Sequence, residues 1–152
     1  MKIRWFKIKI GIDQSHELLN QLEQIILSDA KNMVDMGLIV RFEDLIKYTL
    51  KKHRHKDCIF DEIMQKLRTY EKKVSVSDII KKVFTSLIQK GYFKEGSRVN
   101  RFNILDNEIR NCIFQFIKLN PGVIFTDFKK FNIANETIYY HLERLITFKL
   151  IR

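Results

Sequence analysis

Hydrophobic and polar positions change period along this chain, and the changes mark its elements. Residues 2 to 10 alternate, with Ile3 and Trp5 opposed to Lys2 and Arg4. After Trp5 the phase slips to Phe6, Ile8 and Ile10, which predicts a strand with a bulge, ended by Gly11. From Ser15, a suitable N-cap with Glu17 in the first turn, the spacing becomes helical. Leu18, Leu22, Ile25, Ile26, Ala30 and Met33 recur on one face until Gly37, a C′ stop, so this is one long amphipathic helix. Three shorter helices follow, over 42–54, 57–73 and 75–91. Asp57 is the expected cap of the second, Ser75 or Ser77 that of the third, and Gly91 the stop.

Next come two β-prone runs, Tyr92-Phe93 and Val99 to Leu105, flanking the turn KEGSR, and they predict a β-hairpin. Three helices followed by a hairpin outline a winged helix over 41–105. A second unit opens at Asp106. Ile109, Ile113, Phe116 and Ile117 set an apolar helix, broken by Pro121-Gly122. VIF then suits a short strand, Thr126 caps a short helix, NIAN turns, and Asn135 caps a longer helix. That order is a helix-turn-helix layout. The expected fold class is mainly α with short β-hairpins (α+β): tandem winged helix-turn-helix units preceded by a strand and a long helix. The expected domains are 1–40, 41–105 and 106–152, the last without a full wing.

Composition adds a direction to this outline. Forty-five per cent of the 152 residues are hydrophobic, enough for globular cores, and the formal net charge is +10, a field that attracts polyanions. The charge is uneven: residues 41–105 hold 16 Lys/Arg against 8 Asp/Glu, whereas residues 106–152 hold 7 against 5. Cys58 and Cys112 are two lone cysteines, as in a reducing compartment. The N-terminus has charges scattered through it and lacks a signal-peptide core, and the sequence holds no run that would span a membrane. The expectation is a cytoplasmic protein.

The segment IFQFIKLNPGVIFTDFKKFNIANETIYYHLERLITFKLI resembles the winged helix-turn-helix segment of archaeal ArsR- and MarR-type regulators. The shared pattern is an apolar helix, Asn-Pro-Gly, an F-T-D-F turn, a polar turn, and T-I-x-Y-H-L-x-x-L. The resemblance implies that Asn135 to Phe148 enters the DNA major groove, with Asn135, Glu136, Thr137, Tyr140 and Arg144 outward and Ile138, Leu142, Leu145 and Ile146 inward. The spacing of those four apolar residues independently suits an inward stripe. Asn, Thr, Tyr and Arg suit base edges and phosphates. The DNA-contact candidates are therefore Asn135, Thr137, Tyr140 and Arg144, with Lys81, Lys82 and Lys90 on the third short helix and Lys94, Arg98 and Arg101 on the hairpin wing. In this reading the basic 41–105 unit supplies most of the phosphate attraction.

His53, His55 and Cys58 form an H-x-H-x-x-C cluster without a fourth ligand at recognisable spacing, so neither a metal nor another cofactor is expected. Phosphate-cradling glycine loops and nucleophile elbows are missing from the sequence, and an enzyme is not expected. The reading is a double-stranded-DNA-binding transcriptional regulator; if it forms a homodimer, the Ser15–Gly37 helix is the natural seam. Two other readings remain open: a protein-interaction scaffold of tandem winged helices, as in endosomal-sorting or polymerase-associated factors, and a plasmid or viral replication initiator.

Overall fold

The computed structural model describes residues 2–54, 58–70 and 74–152, with residues 2–13 described by their backbone alone. Six α-helices are present among these residues: α1 (Lys2–Asp35), α2 (Phe42–Lys52), α3 (Ile59–Tyr70), α4 (Val76–Gln89), α5 (Glu108–Leu119) and α6 (Asn135–Thr147). Two 3-10 helices, Ile104–Asp106 and Phe125–Phe131, complete the regular structure. The chain divides into two compact units, Met1–Ile88 and Gln89–Arg152.

Among the described residues there is no strand, which corrects the expected α+β class with its β-hairpins. The first correction falls on residues 2 to 10, where α1 runs through Gly11 and Ser15 without a break. Alternation alone does not make a strand; it must pair, and no partner strand exists among the described residues. The same stretch also fits a helix, because Ile3, Phe6 and Ile10 stand at i, i+3 and i+7.

In the first unit the apolar stripe of α1 is core. Leu22, Ile26 and Ala30 are wholly buried, and α2 and α3 of the same chain pack on this helix. The stripe put forward as a dimer seam is therefore covered from within. Gly37, at φ +76°, ends α1 with the Gly37 amide on the Val34 carbonyl (2.8 Å) and the Leu38 amide on the Met33 carbonyl (2.9 Å). Asp29 is buried on α1, accepting from Lys52 Nζ at 2.7 Å and pairing with His53 Nε2 at 2.9 Å, which pins the end of α2 to α1. Ser75, rather than Ser77, caps α4: its Oγ accepts from the Asp78 amide (3.1 Å) while the Asp78 carboxylate accepts from the Ser75 hydroxyl (2.7 Å) and amide. The expected cap Asp57 lies outside the described residues.

In the second unit a core of Ile104, Ile113, Phe128, Ile138, Leu145 and Phe148 holds α5, α6 and the 3-10 helices together. Burying a side chain such as Ile113 or Leu145 contributes about 1.5–3 kcal/mol. The second correction is the hairpin at 92–105, which is an irregular loop. One backbone bond crosses it, from the Arg101 amide to the Tyr92 carbonyl (2.9 Å). Asparagine side chains satisfy backbone groups that a ladder would use. Asn103 Oδ1 accepts from the Asn100 amide, Asn100 Oδ1 accepts from the Phe102 amide, and Asn103 Nδ2 donates to the Arg98 carbonyl. The third correction is VIF: Val123 and Ile124 lead straight into the 3-10 helix, where Asp127 accepts from the Ile124 amide at 2.8 Å. Without strands, neither unit carries a β-wing among its described residues.

Candidate functional site

The second unit brings the strongest grouping of sequence candidates onto one body. Asn107 caps α5 through its side chain, accepting from the Arg110 amide at 3.0 Å, and so fixes the first turn that carries Arg110. Asn132, in the left-handed region at φ 52°, ends the second 3-10 helix and turns the chain into α6, a conformation asparagine tolerates better than most residues. On α6, Asn135 and Tyr140 are exposed and Thr137 and Arg144 half-buried. The inward face differs from expectation. Ile138, His141, Leu145 and Phe148 point into the core, Leu142 is half-buried, and Ile146 is 54% exposed. A histidine thus takes the core place expected of Ile146.

His141 is 4% exposed and its Nδ1 has no hydrogen-bond partner. Burial, then the nearby charge of Arg110, pushes its pKa below the usual histidine value. Arg110 is equally buried, yet only its Nη1 reaches a carbonyl, that of Ile104 at 2.9 Å, and its Nε is unpartnered. Burial draws the Arg110 pKa down, and the charge of Arg144 acts in the same direction while Tyr140 opposes both. The Tyr140 ring has the Arg110 guanidinium at 5.9 Å and the Arg144 guanidinium at 5.3 Å from its centroid. The helical spacing carries no signal that marks Arg110 as part of a site. Its only sequence signal is a position next to Ile109 and three before Ile113, on the edge of the apolar face.

The basic loop belongs to the same unit as α6. Lys90, Lys94 and Arg98 are exposed there, and Lys94 and Ser97 close a turn around Gly96. Arg101 is half-buried with its guanidinium 4.9 Å from the Tyr92 ring centroid, so it braces the loop as well as carrying charge. The loop begins against the end of α6. Gly91 leaves no room for a side chain: a Cβ there would lie 3.1 Å from the Phe148 carbonyl carbon and 2.9 Å from Lys149 Cγ. Lys149 Nζ also donates to the Gln89 carbonyl. Lys81 and Lys82 are exposed on α4, in the first unit.

Other chemistry finds little footing. Cys58 Sγ accepts from the Asp61 amide at the start of α3, and His53 is held by Asp29 and stacked on Phe60 at 4.9 Å. His55 lies outside the described residues, among which no three potential ligands gather around a metal position. An open groove of about 400 Å³ is lined by Phe116, Asn120, Pro121, Gly122, Val123, Asp127 and Lys130. Its one carboxylate, Asp127, already caps the 3-10 helix, and Lys130 Nζ sits 3.7 Å from the Phe116 ring centroid. No helix among the described residues is long and apolar enough to cross a membrane. No family model matches the sequence, nor does any curated protein or solved structure.

Proposed function

We propose that the second unit binds duplex DNA, with α6 as the reading helix and the 90–101 loop as a flanking cationic contact. The observation that carries this reading is the placement on one body of a helix-turn-helix arrangement and a basic loop. The turn at Asn132 presents α6 with Asn135 and Tyr140 exposed, while the loop beside the end of α6 exposes Lys90, Lys94 and Arg98. The unit holds 11 Lys/Arg against 6 Asp/Glu, so a phosphate backbone meets a favourable field. Asn135 can hydrogen-bond base edges, and Thr137, Tyr140 and Arg144 can reach phosphate oxygens. The proposal contains no β-wing. A basic loop held by Asn100 and Asn103 takes the place of one.

The test is binding to a mixed-sequence duplex as a function of salt. Affinity should fall with a log-log slope of roughly −3 to −5, as for a few neutralised phosphates. The pair Lys94→Glu and Arg98→Glu should weaken binding at least tenfold with the thermal melt unchanged, because both side chains are exposed. Arg101 is left intact because of its place on Tyr92. Absence of duplex binding at about 50 mM salt would overturn the proposal, since phosphate contacts dominate non-specific affinity. That result would favour the protein-interaction reading, for which the exposed Tyr139 (59%) and Ile146 (54%) on α6 supply apolar surface.

A further inference from the structure

Arg110 poses an electrostatic problem that its own unit does not solve. A guanidinium carries five N–H donors and stays charged in proteins. This one is 4% exposed, has the Ile104 carbonyl as acceptor at 2.9 Å, and leaves Nε buried without a partner. A second guanidinium, that of Arg144, approaches the same Tyr140 ring, at 5.3 Å from its centroid, closely enough for its charge to act on Arg110. Among the described residues no carboxylate comes within ion-pair distance of either one. A buried charge without a counter-charge costs several kcal/mol in general, and proteins tolerate the arrangement where an anion completes it.

We propose that Arg110 and Arg144, together with Tyr140, form a clamp for a phosphate group on the second unit. The two planar forks offer paired N–H donors of the kind that grip phosphate oxygens bidentately. The Tyr140 hydroxyl, on the ring that both guanidiniums approach, supplies a neutral donor. Arg110 is the fixed jaw, its guanidinium held by the Ile104 carbonyl. Arg144, half-buried on α6, is the jaw that solvent reaches. Buried His141, its ring 5.2 Å from that of Tyr140, adds an Nδ1 without a partner beside the clamp. The clamp deepens the DNA reading, since a backbone phosphate lying on α6 is the ligand expected in that case. A phosphate on a small molecule has the same chemistry.

The test follows the Arg Nε–Hε resonances of the full-length protein during titration with inorganic phosphate, against sodium chloride at matched ionic strength. Phosphate should shift the Arg110 and Arg144 signals selectively, and Arg144→Gln should weaken phosphate at least tenfold while the melting temperature stays put. Arg144→Lys, which keeps the charge but loses the fork, should fall between them. Tyr140→Phe, which removes only the hydroxyl, should weaken phosphate less than Arg144→Gln. Equal shifts with chloride, or unchanged phosphate affinity in Arg144→Gln, would overturn the clamp. A parallel titration with the duplex separates the two proposals. Phosphate binding without duplex binding keeps the clamp and assigns it to small phosphorylated ligands. Duplex binding that leaves both arginine signals unmoved keeps the DNA reading and removes the clamp.

Discussion

Replacing Gly91 by alanine adds one methyl group where the basic loop meets α6, and its cost can be worked through. Gly91 sits at φ +79°, where an L-residue is about 1–2 kcal/mol less favourable than glycine. Alanine recovers part of this, about 0.4–1 kcal/mol, by restricting the unfolded chain. The rest depends on what the methyl meets. Lys149 Cγ, at 2.9 Å, belongs to a flexible side chain and can swing away. The Phe148 carbonyl carbon, at 3.1 Å, cannot, because the Phe148 ring is wholly buried and its amide is tied to the Arg144 carbonyl at 3.1 Å. Overpacking of that kind costs about 1–3 kcal/mol. The expected total is about 1–4.5 kcal/mol, centred near 3. Gly96→Ala is the internal control, with φ +72° in the same unit and nothing within 4 Å of its Cβ, so only the backbone term of about 1 kcal/mol applies. Urea unfolding followed by amide hydrogen exchange at Ile113 and Leu145 reads the second unit specifically. Because the methyl also pushes the start of the loop away from α6, duplex affinity should fall in Gly91→Ala more than in Gly96→Ala. Equal stability losses in the two variants would refute the close approach at Phe148 and, with it, the anchoring of the loop.

Two further outcomes follow from titrating groups. The folded-state pKa of His141 is below its unfolded value near 6.5, so between the two values the unfolded chain binds the extra proton, and the second unit should lose stability as pH falls below about 6.5. In His141→Gln the slope of unfolding free energy between pH 7 and 5 should be reduced, as read by denaturant unfolding; an unchanged slope would refute the assignment. The folded-state pKa of Lys52 is raised, chiefly by its hydrogen bond to Asp29, so the stability it contributes is complete below about pH 10.5 and lost as pH rises through the folded value. Since Lys52 is 40% exposed, solvent screening keeps that contribution to at most about 1 kcal/mol, visible as a loss that begins near pH 10.5 and continues above it, which Lys52→Met should lack.

Much of the helical content was legible in the sequence because amphipathic periodicity is a local property. Gly37, Ser75 and the Asn132 turn are short-range signals that needed no tertiary information. The strands were over-read for the converse reason. Alternation at residues 2 to 10 and β-prone residues around KEGSR express a preference, whereas a strand exists only through a partner. In the loop, Asn100 and Asn103 compete for the backbone groups such a ladder would have used. The face of α6 shows the same limit at finer scale. Ile138, Leu142, Leu145 and Ile146 make a good stripe on a lone helix, but packing rotated it toward Ile138, His141, Leu145 and Phe148, and set Ile146 outside.

The sequence by itself determined where the chain turns, where most helices lie and that the surface attracts anions, since all three follow from residue type and near-neighbour spacing. Only the tertiary structure decided that the basic loop belongs to the unit of α6. Burial of Ile104 beside Ile113 and Phe148, and the close fit of Gly91 on Phe148, are contacts between residues distant in sequence. Only it brought Arg110 from α5 to the Tyr140 ring and Arg144 of α6. A guanidinium's partners depend on which helix packs beside it, and no periodicity in the sequence carries that information.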